Sequence, residues 1–411
     1  MKAVVTSLAV ILLAGLPAAA ALDPPDLERY LRWGPLRVRP GFRISNFGYD
    51  DNILFSSATQ TVGDYSGTVS PDLEGLVLFG SRAFVTFDAG ADYTAYLDNS
   101  ELNYLNHEET VRLTVPVRRI GVFAQVDYED QQLRPVDRED ARSQLQRDGY
   151  EAGLLLQPGW RTEIEIGRRF DDLHYDDRDF VTVAPISQRL NREEAGLTLD
   201  VTYELKDRLS LRLDAEQRAI SFDNDEFQIP GADPLVRDTD QWQLRAGTEF
   251  GENGTLSGRF LAGWAVIDAE APELPDLAEL VGEAELTYKF NRHTWLRLDG
   301  LRRPGFAVIE GNAYFLETRT ELRAVRFLNR SLGVEAAVSR GKLSFPESFS
   351  GFERRDDIAS WDAGMRLRLS DTGLGRSVEY RVRYQHYKRE SNSVFANQER
   401  NSIGVNAVWG Y

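Results

Sequence analysis

Apolar and polar residues alternate along most of this chain. In the stretch 83–97, Ala83, Val85, Phe87, Ala89, Ala91, Tyr93, Ala95 and Leu97 fall on one face, with Asp88 and Asp92 on the other. A period of two marks a β-strand with one apolar face. The last stretch, 401–411, repeats the beat: Ile403, Val405, Ala407, Trp409 and Tyr411 share a face. Ser402, Gly404, Asn406 and Gly410 lie between them, and Val408 breaks the pattern.

The same alternation predicts about eighteen strands, with boundaries uncertain by roughly 2–4 residues. They fall at 36–46, 68–79, 83–97, 107–115, 120–130, 145–156, 160–171, 190–203 and 209–221. The rest fall at 239–250, 256–266, 278–289, 294–301, 314–325, 332–338, 358–369, 378–387 and 401–411. Short connections sit at 80–82, 116–119, 157–159, 204–208, 251–255, 291–293, 326–330 and 370–376. Longer ones, such as 47–65, 173–188 and 222–237, lie between them. Short turns on one side and long loops on the other define a transmembrane barrel, with the short side periplasmic. The predicted fold is all-β: a single antiparallel up-and-down barrel over residues 35–411. Sixteen strands would also fit the length. An aromatic terminal strand is what the barrel-assembly machinery is expected to read, through Ile403, Val405, Ala407, Trp409 and Tyr411.

Aromatic positions support the barrel. Phe79, Trp160, Tyr203, Phe250, Phe290, Trp295, Phe327 and Trp409 lie toward the short turns. Tyr93, Tyr128, Phe170, Phe222, Trp264, Tyr314, Trp361 and Tyr384 lie toward the long loops. Rings gathered at both strand ends match the two membrane–water interfaces.

Residues 1–21 read as a signal peptide: Lys2, an apolar run over 4–16, then Ala18–Ala21 as cleavage site. The mature chain is thus expected in a Gram-negative outer membrane. Residues 22–34 are expected to form a periplasmic tether with one or two helical turns over 26–33, or a small plug or docking segment. The chain has no cysteine, which excludes disulfides and thiolate metal sites. No later apolar run reaches the length of a spanning helix. A net charge of −17 argues against nucleic acid.

The face opposite the apolar one carries interleaved charges. Glu317, Arg319, Glu321 and Arg323 share a side, as do Glu379, Arg381 and Arg383. Arg212, Arg245, Arg366 and Arg368 extend the set. These are the candidate lumen-lining residues. One reading is cross-strand pairing alone; the other is a path for a charged or hydroxylated solute, with a basic stripe of Arg319, Arg323, Arg366, Arg368, Arg381 and Arg383. The long loops are acidic, notably Asp171, Asp172, Asp176, Asp177 and Asp179 and the run 223–226. They lack the spacing of a calcium loop, although divalent cations could bridge them to lipopolysaccharide. No metal site and no cofactor is expected. Among His107, His174, His293 and His386 no nucleophile–base pair can be named, so no catalysis is expected. No loop is long enough to stand out as a constriction.

Residues 36–55 (LRVRPGFRISNFGYDDNILF) place an apolar–Arg strand before Gly48-Tyr49-Asp50-Asp51-Asn52. Val69-Ser70-Pro71-Asp72-Leu73 and Gly80-Ser81-Arg82 follow. Over about the first eighty residues, this resembles the putative β-barrel porin 2 type of outer-membrane protein. The resemblance implies a channel for polysaccharide export, working with periplasmic export proteins and set in lipid and lipopolysaccharide. The carboxylates among the arginines put an anionic polymer in doubt. An uptake porin and a non-conducting structural or adhesive barrel are the alternatives.

Overall fold

The computed structural model describes residues 30–56, 61–80, 82–135, 142–177, 186–223, 237–251, 254–272, 274–308, 313–345, 353–369, 378–393 and 396–409. The expected signal peptide, residues 1–21, and most of the 22–34 segment lie outside the described residues, as do Gly410 and Tyr411. Leu31–Trp33 is a three-residue strand, β1, where helical turns or a tether are expected.

The remaining strands are β2 (Leu36–Asp50), β3 (Asp64–Phe79), β4 (Ala83–Tyr96), β5 (Tyr104–Val117), β6 (Ile120–Leu133) and β7 (Ser143–Gly159). Then come β8 (Thr162–Asp177), β9 (Arg192–Lys206), β10 (Leu209–Phe222), β11 (Thr239–Phe250), β12 (Leu256–Ala269) and β13 (Leu277–Asn291). The series ends with β14 (Thr294–Phe306), β15 (Tyr314–Phe327), β16 (Leu332–Ser344), β17 (Arg355–Leu369), β18 (Val378–Ser391) and β19 (Gln398–Trp409). Each pairs antiparallel with the next, and β19 pairs with β2, opposing Ile403 to Tyr49 and Trp409 to Phe42. The result is a closed 18-stranded barrel with one extra strand. Closure gives every wall strand two hydrogen-bonded neighbours, which a lipid-embedded sheet requires.

Every predicted wall strand is present, and most run further at the long-loop end. Strand β16 is predicted to stop at Val338 but continues to Ser344. Its outward positions there are Arg340 and Lys342, so the apolar signal ends before the strand does. Outward residues include Tyr93, Val111, Leu154, Leu197, Leu244, Leu298 and Val382; lipid accounts for their exposure. Four aromatics leave the predicted belts. Trp295 and Phe327 face inward, under the guanidiniums of Arg366 and Arg368 at 5.5 and 4.7 Å. Phe222 and Tyr314 are buried inside the mouth, against Phe306 at 5.3 and 5.8 Å. All four were indistinguishable from girdle rings by position along the strand alone.

The β2–β19 seam is irregular. A bulge shifts its register between Val405 and Ala407, facing Asn46, which has φ 54°. The Asn46 N–H donates to Asn406 Oδ1 at 2.8 Å. Gly48 must be glycine, because a Cβ there would lie 1.9 Å from the Ile403 carbonyl oxygen. Below Trp409, β1 takes over the edge of β2: Leu31 opposes Val38 and Trp33 opposes Leu36, while β3 covers the other edge. Unpaired strand edges are costly in a membrane wall, and β1 covers this one.

Candidate functional site

Register places every sequence-derived lumen candidate on the inner face. Arg212 contacts Glu249 at 3.1 Å, and Arg245 reaches Asp214 at 3.3 Å and Glu283 at 3.7 Å. Glu317 receives Arg303 at 3.1 Å. Arg323 binds Glu321 at 2.7 Å and Asp362 at 3.3 Å, whereas Arg319 and Arg383 lie 3.5 and 3.9 Å from Glu321 and Asp362. Arg366 joins Glu335 and also reaches Glu379 at 3.3 Å. Glu379 is further contacted by Arg368 at 2.9 Å and Arg381 at 2.7 Å. One carboxylate therefore holds three guanidiniums.

The wall around β8 shows the converse. Arg169 lies 2.7 Å from Asp171, 3.6 Å from Glu151 and 3.7 Å from Asp127. One guanidinium is set among three carboxylates. Glu379 and Arg169 stand eight strands apart one way round the barrel and ten the other, counted along the strand order. They differ in height: Glu379 is next to the short-turn end of β18, and Arg169 is halfway along β8.

The sequence does not single out this group, although Asp127, Glu151, Arg169 and Asp171 all fall within predicted strands, because Asp171 counts there with the acidic loop that follows. The strand runs on to Asp177, so alternation splits the acidic run: Asp171 faces inward and Asp172 outward. His174 faces outward, 3.1 Å from Asn191. Asn224, Asp225 and Glu226 lie outside the described residues. Arg39 and Arg43 were also missed, although their alternation with Val38 and Phe42 is visible in the sequence. Arg39 binds Glu74, and Arg43 lies 3.5 Å from Asp92.

The long-loop mouth is built from segments that fold inward, contrary to the expectation of no constriction. Beyond β14, Val308 packs among Leu145, Leu173, Tyr175, Ile186 and Leu190, which belong to the opposite wall and its connection. Arg189 donates to the Val308 carbonyl, and Arg237 donates to the Arg189 carbonyl. The Arg192 guanidinium covers the Phe306 ring at 5.1 Å. Beside this bridge, Ala307 and Phe345 join Phe315 and Leu343 in a second apolar cluster. Nearby, Asp356 and Arg389 are wholly buried and paired, and Arg354 adds a 2.7 Å contact to Asp356. A third segment follows β2. Arg134 donates to the carbonyls of Ile53 and Leu54 at 2.9 and 3.1 Å. The Phe55 ring sits under Arg134 and Arg400, at 5.0 and 4.4 Å. Hydrophobicity in a loop is weak evidence of direction, so the sequence held no usable signal for this inward folding.

A closed barrel with an apolar outer belt and a charged interior defines an outer-membrane, porin-like channel. The chain belongs to the family described as Putative beta-barrel porin 2, which matches residues 31–410. Its fold is similar to that of the outer-membrane protein OpdK from Pseudomonas aeruginosa, at 12% identity and a TM-score of 0.51, covering 91% of this chain and 98% of that one. The structure of OpdK with vanillate gives the same identity, coverage and TM-score. A comparison with curated proteins finds no significant match.

Proposed function

We propose that this protein is a passive channel through which small hydrophilic solutes cross the outer membrane, with the inward-folded mouth segments setting the size limit. The observation that carries the reading is Val308, a residue of the β14–β15 connection packed against β7 and β8. A polymer conduit needs an unobstructed bore, whereas this bridge divides the mouth. Polysaccharide export rests on the family resemblance alone. The paired lining charges keep the bore polar and hydrated along its length.

Liposome swelling with neutral sugars of rising size tests this. Pentoses and hexoses should swell liposomes holding the purified protein, and a trisaccharide should not. Absence of swelling by any sugar would sink the channel reading. Equal rates for hexose and trisaccharide would sink the role given to the mouth.

A further inference from the structure

The inner face is polarised from one wall to the other. On β3–β10 carboxylates outnumber guanidiniums. Asp88, Glu108 and Asp200 face inward there and form no salt bridge among the described residues. On β15–β19 and β2 guanidiniums outnumber carboxylates. Arg319 and Arg383 project inward at the middle heights of that wall, 3.5 and 3.9 Å from their nearest carboxylates, and Arg43, at its border with β3, lies 3.5 Å from Asp92 of the acidic wall. Arg43 and Arg319 remain about half exposed, at 52% and 56%. Cross-strand pairing alone would leave each wall close to neutral. Three guanidiniums on Glu379 and three carboxylates on Arg169 are the opposite of that arrangement.

Resting on the channel reading above, we infer that the lumen favours small zwitterionic solutes, which carry an anionic and a cationic group at opposite ends. Such a solute turns its carboxylate toward the wall of Arg43, Arg319 and Arg383 and its ammonium toward Asp88 and Glu108. Both ends then gain, where a solute of one sign gains at one wall and loses at the other. An uncharged solute of equal size gains at neither. Low-dielectric walls with fixed charge concentrate complementary solutes in this way, and salt weakens the effect.

Alanine and lactamide test this, because they are isomers of which alanine alone is a zwitterion. Swelling rates are measured at low ionic strength and corrected for protein-free liposomes. Alanine should pass more than about twofold faster than lactamide through the wild-type protein. The ratio should fall toward one in R43Q/R319Q/R383Q. It should also fall in D88N/E108Q, which removes charge from the other wall. A wild-type ratio at or below one overturns the inference while leaving the channel intact. So does a ratio unchanged in both folded variants. Absence of swelling by both isomers and by every sugar overturns the channel reading and this inference together.

Discussion

Arg189 and Val308, 119 residues apart in the chain, meet inside the barrel, the arginine donating to the valine's carbonyl. One comes from the β8–β9 connection and the other from the β14–β15 connection, so the contact joins two walls across the mouth. Val308→Asp places a carboxylate among Leu145, Leu173 and Tyr175. Taking it out of water into this apolar cluster costs several kcal/mol, of which a contact to the neighbouring Arg189 returns only part. Single-channel current should rise by about half or more, because polar access through the mouth governs conduction. The barrel wall does not depend on this contact, so heat-modifiable gel migration should be unchanged. Unaltered current in a folded variant would show that the bridge does not limit flow.

Asp356 is the anionic centre of a buried group, with Arg354 and Arg389 beside it. Removing one member of such a group typically costs about 3–5 kcal/mol, since the remaining charges stay buried. Asp356→Ala should therefore lower the urea midpoint clearly, and Asp356→Asn should lower it too. A midpoint within error of wild type would mean the arginines relax into solvent.

The seam predicts a sharper defect. Gly48→Val adds a side chain where the Ile403 carbonyl already lies 1.9 Å from a Cβ position. Backbone on both sides would have to shift, at a cost of about 1–3 kcal/mol or more. The folded fraction after refolding into detergent or lipid should drop. Gly90→Val, where the nearest contact is the Glu108 side chain at 3.6 Å, is the matched control and should fold normally.

The wall of the barrel is plain in the sequence because lipid imposes a period of two on every strand. The lining is legible for the same reason: once the outward face is known, Arg319, Arg381 and Glu379 must point in. What escapes is whatever the period does not control. Trp295 sits near a strand end like a girdle ring, yet its parity puts it under Arg366. Strands β8 and β16 outrun their apolar positions, because outward residues above the membrane are polar. The mouth bridge depends on contacts between distant connections, and β1 depends on an edge left open by β19. Neither leaves a local pattern.

Ion selectivity follows from the lining as a whole, where carboxylates outnumber guanidiniums. Under a potassium chloride gradient the reversal potential should show cation preference, weakening as salt rises. D88N/E108Q should reduce that preference and R43Q/R319Q/R383Q should increase it. Movement of both variants in one direction would refute the placement of both groups along the conduction path.

The most direct measurement is the current across a planar lipid bilayer after addition of the purified, refolded protein. A channel predicts discrete, reproducible conductance steps, larger in V308D than in wild type. A folded protein that gives no current above the bare bilayer, in either form, would contradict the account.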